Sequence, residues 1–258
     1  MAAIELGADD QRHLTDDCAT MLRTRVVLSM GGKGGVGKTN VMTGLAEWYA
    51  EHQIPVTLLD LDTENKARGS LRHFFGHAPK INIHSPEGLD AFLDYLETGP
   101  PILLADMGSG AGRVTHAWFD EMYEPVARRG ILFTAVGVVT ADPASVESVL
   151  TWADRLQRRV AYVIVENETD ANATFTYWRD SAQARAFQRA FDPAVIQMAY
   201  RLPHLETAMR NHGVTLSQVV HRQTTVPELQ LSKAVLRAEG YRTRLFEQFD
   251  SVKDLLLP

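Results

Sequence analysis

The string Gly32-Lys33-Gly34-Gly35-Val36-Gly37-Lys38-Thr39 follows a short apolar run, Arg25–Met30, and precedes a helical pattern over Thr39–His52. It fits G-x-x-x-x-G-K-[ST], a spacing whose chemistry works only in that setting. Glycines let successive backbone N–H groups turn inward, and the start of the following helix adds its positive dipole, so the loop can cradle phosphate oxygens. Lys38 is placed to reach the β- and γ-phosphates, and the Thr39 hydroxyl to ligate Mg²⁺, with Asn40 beside it. Gly32, Gly34, Gly35, Val36 and Gly37 supply the cradle. Lys33 is not explained by this pattern, which needs one lysine.

A phosphate loop between strand and helix predicts more strands of the same kind. Apolar runs occur at Arg25–Met30, Pro55–Leu61, Lys80–His84, Ile102–Asp106, Ile131–Thr140, Arg159–Glu166 and Val195–Ala199. "VVLSM", "VTLLDL", "ILLAD" and "AYVIV" lack polar alternation and read as strands buried on both faces. Helix-length patterns separate them. Val41, Met42, Leu45 and Tyr49 share one stripe, and Asp142-Pro143 opens another helix with a capping acid and proline at the first position. Strand–helix alternation predicts an α/β, doubly wound, mostly parallel sheet with helices on both faces and a ligand at the carboxyl ends of the strands. The expected organisation is an extension over residues 1–24, including a short helix, and one P-loop domain over 25–258.

Composition removes several alternatives. No apolar run reaches about 18 residues, so no membrane span is expected. "MAAIELGADDQRHLTDDC" is acidic and does not read as a secretory signal. Cys18 is the only cysteine, which excludes an intrachain disulfide or CxxC site and points to a cytoplasmic protein. The net charge of −6 is uneven: residues 151–258 carry 14 Lys/Arg against 12 Asp/Glu, whereas residues 1–150 carry 12 against 20. Arg155, Arg158, Arg159, Arg185 and Arg189 therefore either solvate helix faces or form a basic face. The tail "EGYRTRLFEQFDSVKDLLLP" includes Asp250 and Asp254 and few cations near its end. It offers little of the attraction of about 1 kcal/mol per basic residue that draws helices to anionic membranes, so no membrane anchor is evident. His73, His77 and His84 show no metal-binding spacing.

Acids close two of the apolar runs. "LLDLDTEN" places Asp60 and Asp62 at the end of the second strand, and "ILLADMGSGAG" places Asp106 at the end of another, where it would hold Mg²⁺ through water. Gly108, Gly110 and Gly112 then suit a segment that moves with the γ-phosphate.

The whole string "KGGVGKT" resembles the deviant phosphate loop of the ParA/MinD superfamily of dimerising P-loop NTPases, and the similarity extends from Arg25 to Val220. In that family the early lysine reaches the phosphates of the partner subunit, which implies this role for Lys33. The resemblance implies that Asp62 positions the attacking water and that Asp60 stands near the metal's second shell. It also places Asn167, Pro203 and His204 beside the base. Thr63-Glu64-Asn65 departs from the "DPQ" usual in partition proteins, and a proline common in the second switch is missing. Asn167-Glu168-Thr169-Asp170 also has the N-x-x-D spacing of guanine recognition but lacks its lysine, so ATP is expected and GTP is the alternative. Cluster-binding relatives use cysteines after the switches, so no iron–sulfur cluster is expected.

The resemblance implies an ATP- and Mg²⁺-dependent homodimer with slow hydrolysis stimulated by a protein partner. The first expectation is DNA or plasmid partition through non-specific DNA binding. The alternative is an accessory ATPase of a conjugative-transfer, secretion or polar-positioning system acting through a protein partner. A small-molecule ligase or kinase would have no use for Lys33.

Overall fold

The computed structural model describes residues 24–62 and 69–258. The expected N-terminal helix, Cys18 and Thr63-Glu64-Asn65 therefore lie outside the described residues. Six strands are described: β1 Arg25–Met30, β2 Val56–Leu61, β3 Ile102–Met107, β4 Leu132–Val139, β5 Ala161–Asn167 and β6 Ala194–Met198. All pair in parallel, in the order β2-β3-β1-β4-β5-β6. The helices are α1 Lys38–Glu51, α2 Leu71–Phe74, α3 Pro86–Thr98, α4 Gly112–Ala127, α5 Pro143–Leu156, α6 Thr176–Asp180, α7 Ala182–Phe191, α8 Pro203–His212, α9 Leu216–Val220, α10 Pro227–Gln230 and α11 Ser232–Ser251.

Alternate residues of each strand feed opposite cores, which is why the strands read as unbroken apolar runs. Val27 joins Leu45, Trp48, Leu205, Leu245 and Phe249 on the face covered by α1 and α8–α11. Val26, Leu28 and Met30 join Phe92, Trp118, Trp152 and Phe187 on the face covered by α3–α7. Helices on both faces of a parallel sheet make the doubly wound fold expected from the sequence.

Local chemistry sets the helix starts. Asp142 caps α5 by accepting from the Ala144 amide at 2.9 Å, with Pro143 at the first position. Gly213 ends α8 in the left-handed region, φ 61°.

One expected strand is absent. Over Lys80–His84 only Lys80 makes a parallel bridge to Asp60. Pro79 brings no N–H to that edge, and the Asn82 side chain accepts from the His84 amide at 3.1 Å while its carbonyl accepts from the Ser85 amide at 3.1 Å. These local bonds turn the chain into α3 before a ladder can extend. Ile81 and Ile83 are buried nonetheless, which explains their strand-like pattern.

Strands β2 and β3 lie to one side of β1, and β4–β6 to the other. The chain leaves β1 at the point where strand order reverses, so the loop after β1 opens onto the crevice where such sheets take ligands.

Candidate phosphate and nucleotide site

A crevice of about 440 Å³ lies at the carboxyl ends of the strands. The loop from β1 to α1 forms one wall with Gly35, Gly37, Lys38, Thr39 and Asn40. Gly37 has φ 101°, and a Cβ there would stand 2.6 Å from Asn167 Nδ2. Both the backbone conformation and the close approach demand glycine. Gly35, at φ 76°, needs it for conformation alone. Gly32 and Gly34 lie against Ser109 of the loop after β3, and Val36 is buried.

Lys38 is buried at the start of α1, and its Nζ donates to the Lys33 carbonyl oxygen at 2.9 Å. The amine is thus bent back over the loop whose N–H groups it adjoins. Lys33 instead points away from its own loop. Its amine lies 3.3 Å from the Asp142 carboxylate, and its amide donates to Ser148 Oγ at 2.9 Å.

Asp106 meets Thr39. Thr39 Oγ1 donates to Asp106 Oδ2 at 2.8 Å and Ser29 Oγ donates to Asp106 Oδ1 at 3.1 Å, while Ser29 Oγ accepts from the Met107 amide. Asp60 pairs with Asp106 in the β2–β3 register. Burial pushes the Asp106 carboxyl up to about 7; the charges of Asp60 and Asp62 add to this, and the bonds from Thr39 and Ser29 oppose it. The Thr39 hydroxyl and the Asp106 carboxylate are oxygen donors of the kind a hard divalent cation takes, and a cation there would relieve this repulsion, although among the described residues no three acidic, histidine or cysteine side chains group as a metal site. Asp60 is fully buried. It accepts from the Asp62 and Arg72 amides at 3.1 and 3.0 Å and has Lys80 Nζ at 3.9 Å. Its oxygens thus shape the turn out of β2 as well as lying behind Asp106. Asp62 lines the crevice, and Gly108 packs so closely that a Cβ would stand 2.6 Å from Asp62 Oδ1. The two acidic loops therefore touch.

The far wall differs from the sequence expectation. Asn167 lines the crevice, but its Nδ2 donates to the Val36 carbonyl at 2.8 Å and so braces the phosphate loop. Of Asn167-Glu168-Thr169-Asp170, the first three line the crevice, whereas Asp170 accepts from the Asn172 amide in an exposed turn and is not part of the lining. Pro203 opens α8, and Pro203 and His204 are both exposed and absent from the lining. Tyr200 and Arg201, just before them, line it instead, together with Glu206 and Arg210. Asn40 Nδ2 donates to Glu206 Oε1 at 3.0 Å, Glu206 lies 3.9 Å from Arg201, and the Tyr200 amide donates to Glu168 at 3.1 Å. Sequence reasoning missed Ser29, Tyr200, Arg201, Glu206 and Arg210. The local signal for Ser29, Tyr200 and Arg201 is position at or near the end of an apolar run, whereas Glu206 and Arg210 lie within α8 and carry none.

Fold and site together define a P-loop nucleotide-binding protein. The profile of the CobQ/CobB/MinD/ParA nucleotide binding domain family matches residues 27–236, and the chain belongs to this family, in the ParA/MinD/CbiA branch of the P-loop NTPases. Among solved structures, the septum site-determining protein MinD with Mg-ADP from Pyrococcus horikoshii OT3 is 15% identical, with 89% of this chain and 97% of that chain covered and a TM-score of 0.51. The MinD cell division protein of Aquifex aeolicus is 13% identical over 87% and 98% of the two chains, TM-score 0.48. A nucleotide-binding protein in complex with ADP from Archaeoglobus fulgidus is 20% identical over 88% and 91%, TM-score 0.44. No curated protein sequence matches the chain. Among the described residues no helix is long and apolar enough to cross a membrane.

Proposed function

We propose that the chain is an ATP-driven dimerising switch that acts through a protein partner, as an accessory ATPase of a positioning, secretion or transfer system. The carrying observation is the division of labour between the two lysines of one loop. Lys38 is buried over its own loop, whereas the Lys33 amine lies outside it, paired with the exposed Asp142. A loop that serves one nucleotide has no need of the second amine.

In this reading the backbone of Gly34–Gly37 and the Lys38 amine hold the phosphates, and Lys33 reaches those of a second copy. Thr39 and Asp106 would hold Mg²⁺, with Asp60 behind them. When bound, the cation neutralises charge on the β- and γ-phosphate oxygens. Asp62, at the lip of the crevice, orients the attacking water. Because such transfer depends on positioning and charge, a subunit without its partner's lysine hydrolyses ATP slowly.

A protein partner is preferred to DNA because the arginines of the basic half are partly committed. Arg158 donates to the Ala190 carbonyl at 2.6 Å, and Arg159 is bound to Asp120, Phe119 and Arg155. Those guanidinium bonds are not available to a phosphate backbone.

Sedimentation of the wild-type chain and of Lys33→Ala and Asp62→Ala, with ATP·Mg²⁺ or ADP, tests the reading. Wild type and Asp62→Ala dimerise with ATP only, and Lys33→Ala stays monomeric while still binding ATP. A Lys33→Ala chain that dimerises and turns over ATP normally overturns it. Salt-sensitive binding of the Asp62→Ala dimer to random duplex DNA would favour partition instead.

A further inference from the structure

A second concavity, about 250 Å³, opens between the start of α8 and the exposed side of α11. Its walls are unlike those of the nucleotide crevice. Leu202, Leu205 and Leu236 supply the apolar surface over Tyr241, and Arg201, Arg237 and Arg244 stand around them. Among the described residues no carboxylate lines it, although the chain as a whole carries a net charge of −6. Arg237 and Arg244 make no ion pair among the described residues. Leu236 is 67% exposed, the most exposed of the large apolar side chains among the described residues.

Gly240 also lines this groove. It lies in the middle of α11, where glycine costs about 1 kcal/mol relative to alanine. Nothing in the fold requires it: its φ is not positive, and a Cβ there would meet only Arg244 Nη1, at 3.6 Å. The glycine leaves the groove it lines without a side chain at this position.

We propose that the groove docks an acidic segment of a partner protein, with one aliphatic or aromatic anchor seated among the three leucines and flanking carboxylates paired to Arg237 and Arg244. The charges match, and a side-chain-sized hollow suits an anchor better than it suits a duplex, whose phosphates would leave the leucines uncovered. An anionic bilayer is a poor fit too. The apolar stripe of α11 (Ala234, Ala238, Tyr241, Leu245) is buried inward, so little remains outside to enter acyl chains. Tyr200 and Arg201 line both this groove and the nucleotide crevice, so an occupant touches the residues that border the nucleotide. The inference rests on the reading that the chain acts through a protein partner and names that partner's chemistry.

The test is selection of a random peptide library on the full chain with ATP·Mg²⁺, followed by titration of the synthetic consensus peptide. The expected consensus has an apolar anchor between acids. Leu236→Glu and Gly240→Leu, which lie outside the nucleotide site, each weaken the peptide about tenfold or more. Arg237→Glu weakens it as well and binds its Lys-for-Glu counterpart more tightly than wild type does. All three variants retain wild-type ATP affinity, which reports that they are folded. A consensus without acids, or peptide binding indifferent to all three substitutions, overturns the proposal. So does loss of binding to anionic vesicles or duplex DNA in these variants with no peptide bound by wild type. If the groove fails while ATP-dependent dimerisation persists, the switch reading stands and only its docking site is wrong.

Discussion

The Lys33 amine and the Asp142 carboxylate of the same chain lie 3.3 Å apart, joining the front of the phosphate loop to the cap of α5. The pair holds in cis the lysine proposed to act in trans. Asp142 is kept below the usual carboxylate range by the Ala144 amide first and Lys33 second, so it stays charged at neutral pH. Asp142→Asn keeps the capping acceptor and removes the charge. Because exposed pairs are weak, the expected effect is modest: ATP-dependent dimers form at a protein concentration lower by a factor of a few, read by sedimentation equilibrium. An unchanged dimerisation constant would show that the pair does not restrain Lys33.

Asp106 gives a sharper expectation. Asp106→Asn preserves an acceptor for Thr39 but removes the buried charge that a cation would neutralise. Affinity for ATP in the presence of Mg²⁺ falls about tenfold or more, in line with other changes behind a metal's direct ligands. With the metal removed by EDTA, wild type and variant bind ATP alike. Titration of a fluorescent ATP analogue in both buffers checks this; equal loss in both would place Asp106 in loop folding rather than in metal binding.

The elements legible in the sequence are those whose signal is local. The strands β1 and β3 announce themselves because both faces are buried, so neither needs polar alternation. The phosphate loop is legible because Gly37, Lys38 and Thr39 must be adjacent for the backbone to turn and a hydroxyl to meet Asp106. Lys80–His84 misleads for a complementary reason. Ile81 and Ile83 are buried like strand residues, yet Asn82 and Ser85 divert the hydrogen bonds a strand would need. The far wall of the crevice was not legible, because it depends on contacts such as Asn40 to Glu206, 166 residues apart. Whether Arg201 or His204 lines the crevice is decided by where β6 ends and Pro203 starts α8, and neither boundary is fixed to one residue by pattern alone.

Asn167 separates a loop brace from a base contact. Its bond to the Val36 carbonyl spans 131 positions and ties the end of β5 to the phosphate loop. Asn167→Ala leaves that buried carbonyl without its donor, a loss of about 1–3 kcal/mol, and loosens the loop. As a brace, Asn167 affects every triphosphate equally. Calorimetric titration of the variant should therefore give the same fold-loss for ATP, GTP and inorganic triphosphate. A loss confined to ATP would instead place the side chain against adenine.

Glu47 makes a pH-dependent contribution on the opposite side of α1. Its Oε1 accepts from the Ser217 amide at 2.6 Å, while Oε2 is buried without a partner among the described residues, as are Thr43 Oγ1 and Tyr241 OH. Burial raises its pKa, opposed by the bonds from Ser217 and Thr215 on the α9 side and by Arg242 of α11, which is itself paired to Glu51. A carboxyl raised in the folded state stabilises the fold fully below the ordinary glutamate range. That contribution is lost as pH rises through the raised folded value, because ionisation then forces a charge into the core. Glu47→Gln keeps an acceptor for Ser217 and never ionises. The variant and wild type should melt together near pH 4, with the variant gaining as pH rises. Each unit of pKa elevation is worth about 1.4 kcal/mol, or about 2–4 °C per kcal/mol for a chain of this size. Thermal melts from pH 4 to 9 decide it: a difference that stays constant across the range would mean that Glu47 does not change its charge between the folded and unfolded chain.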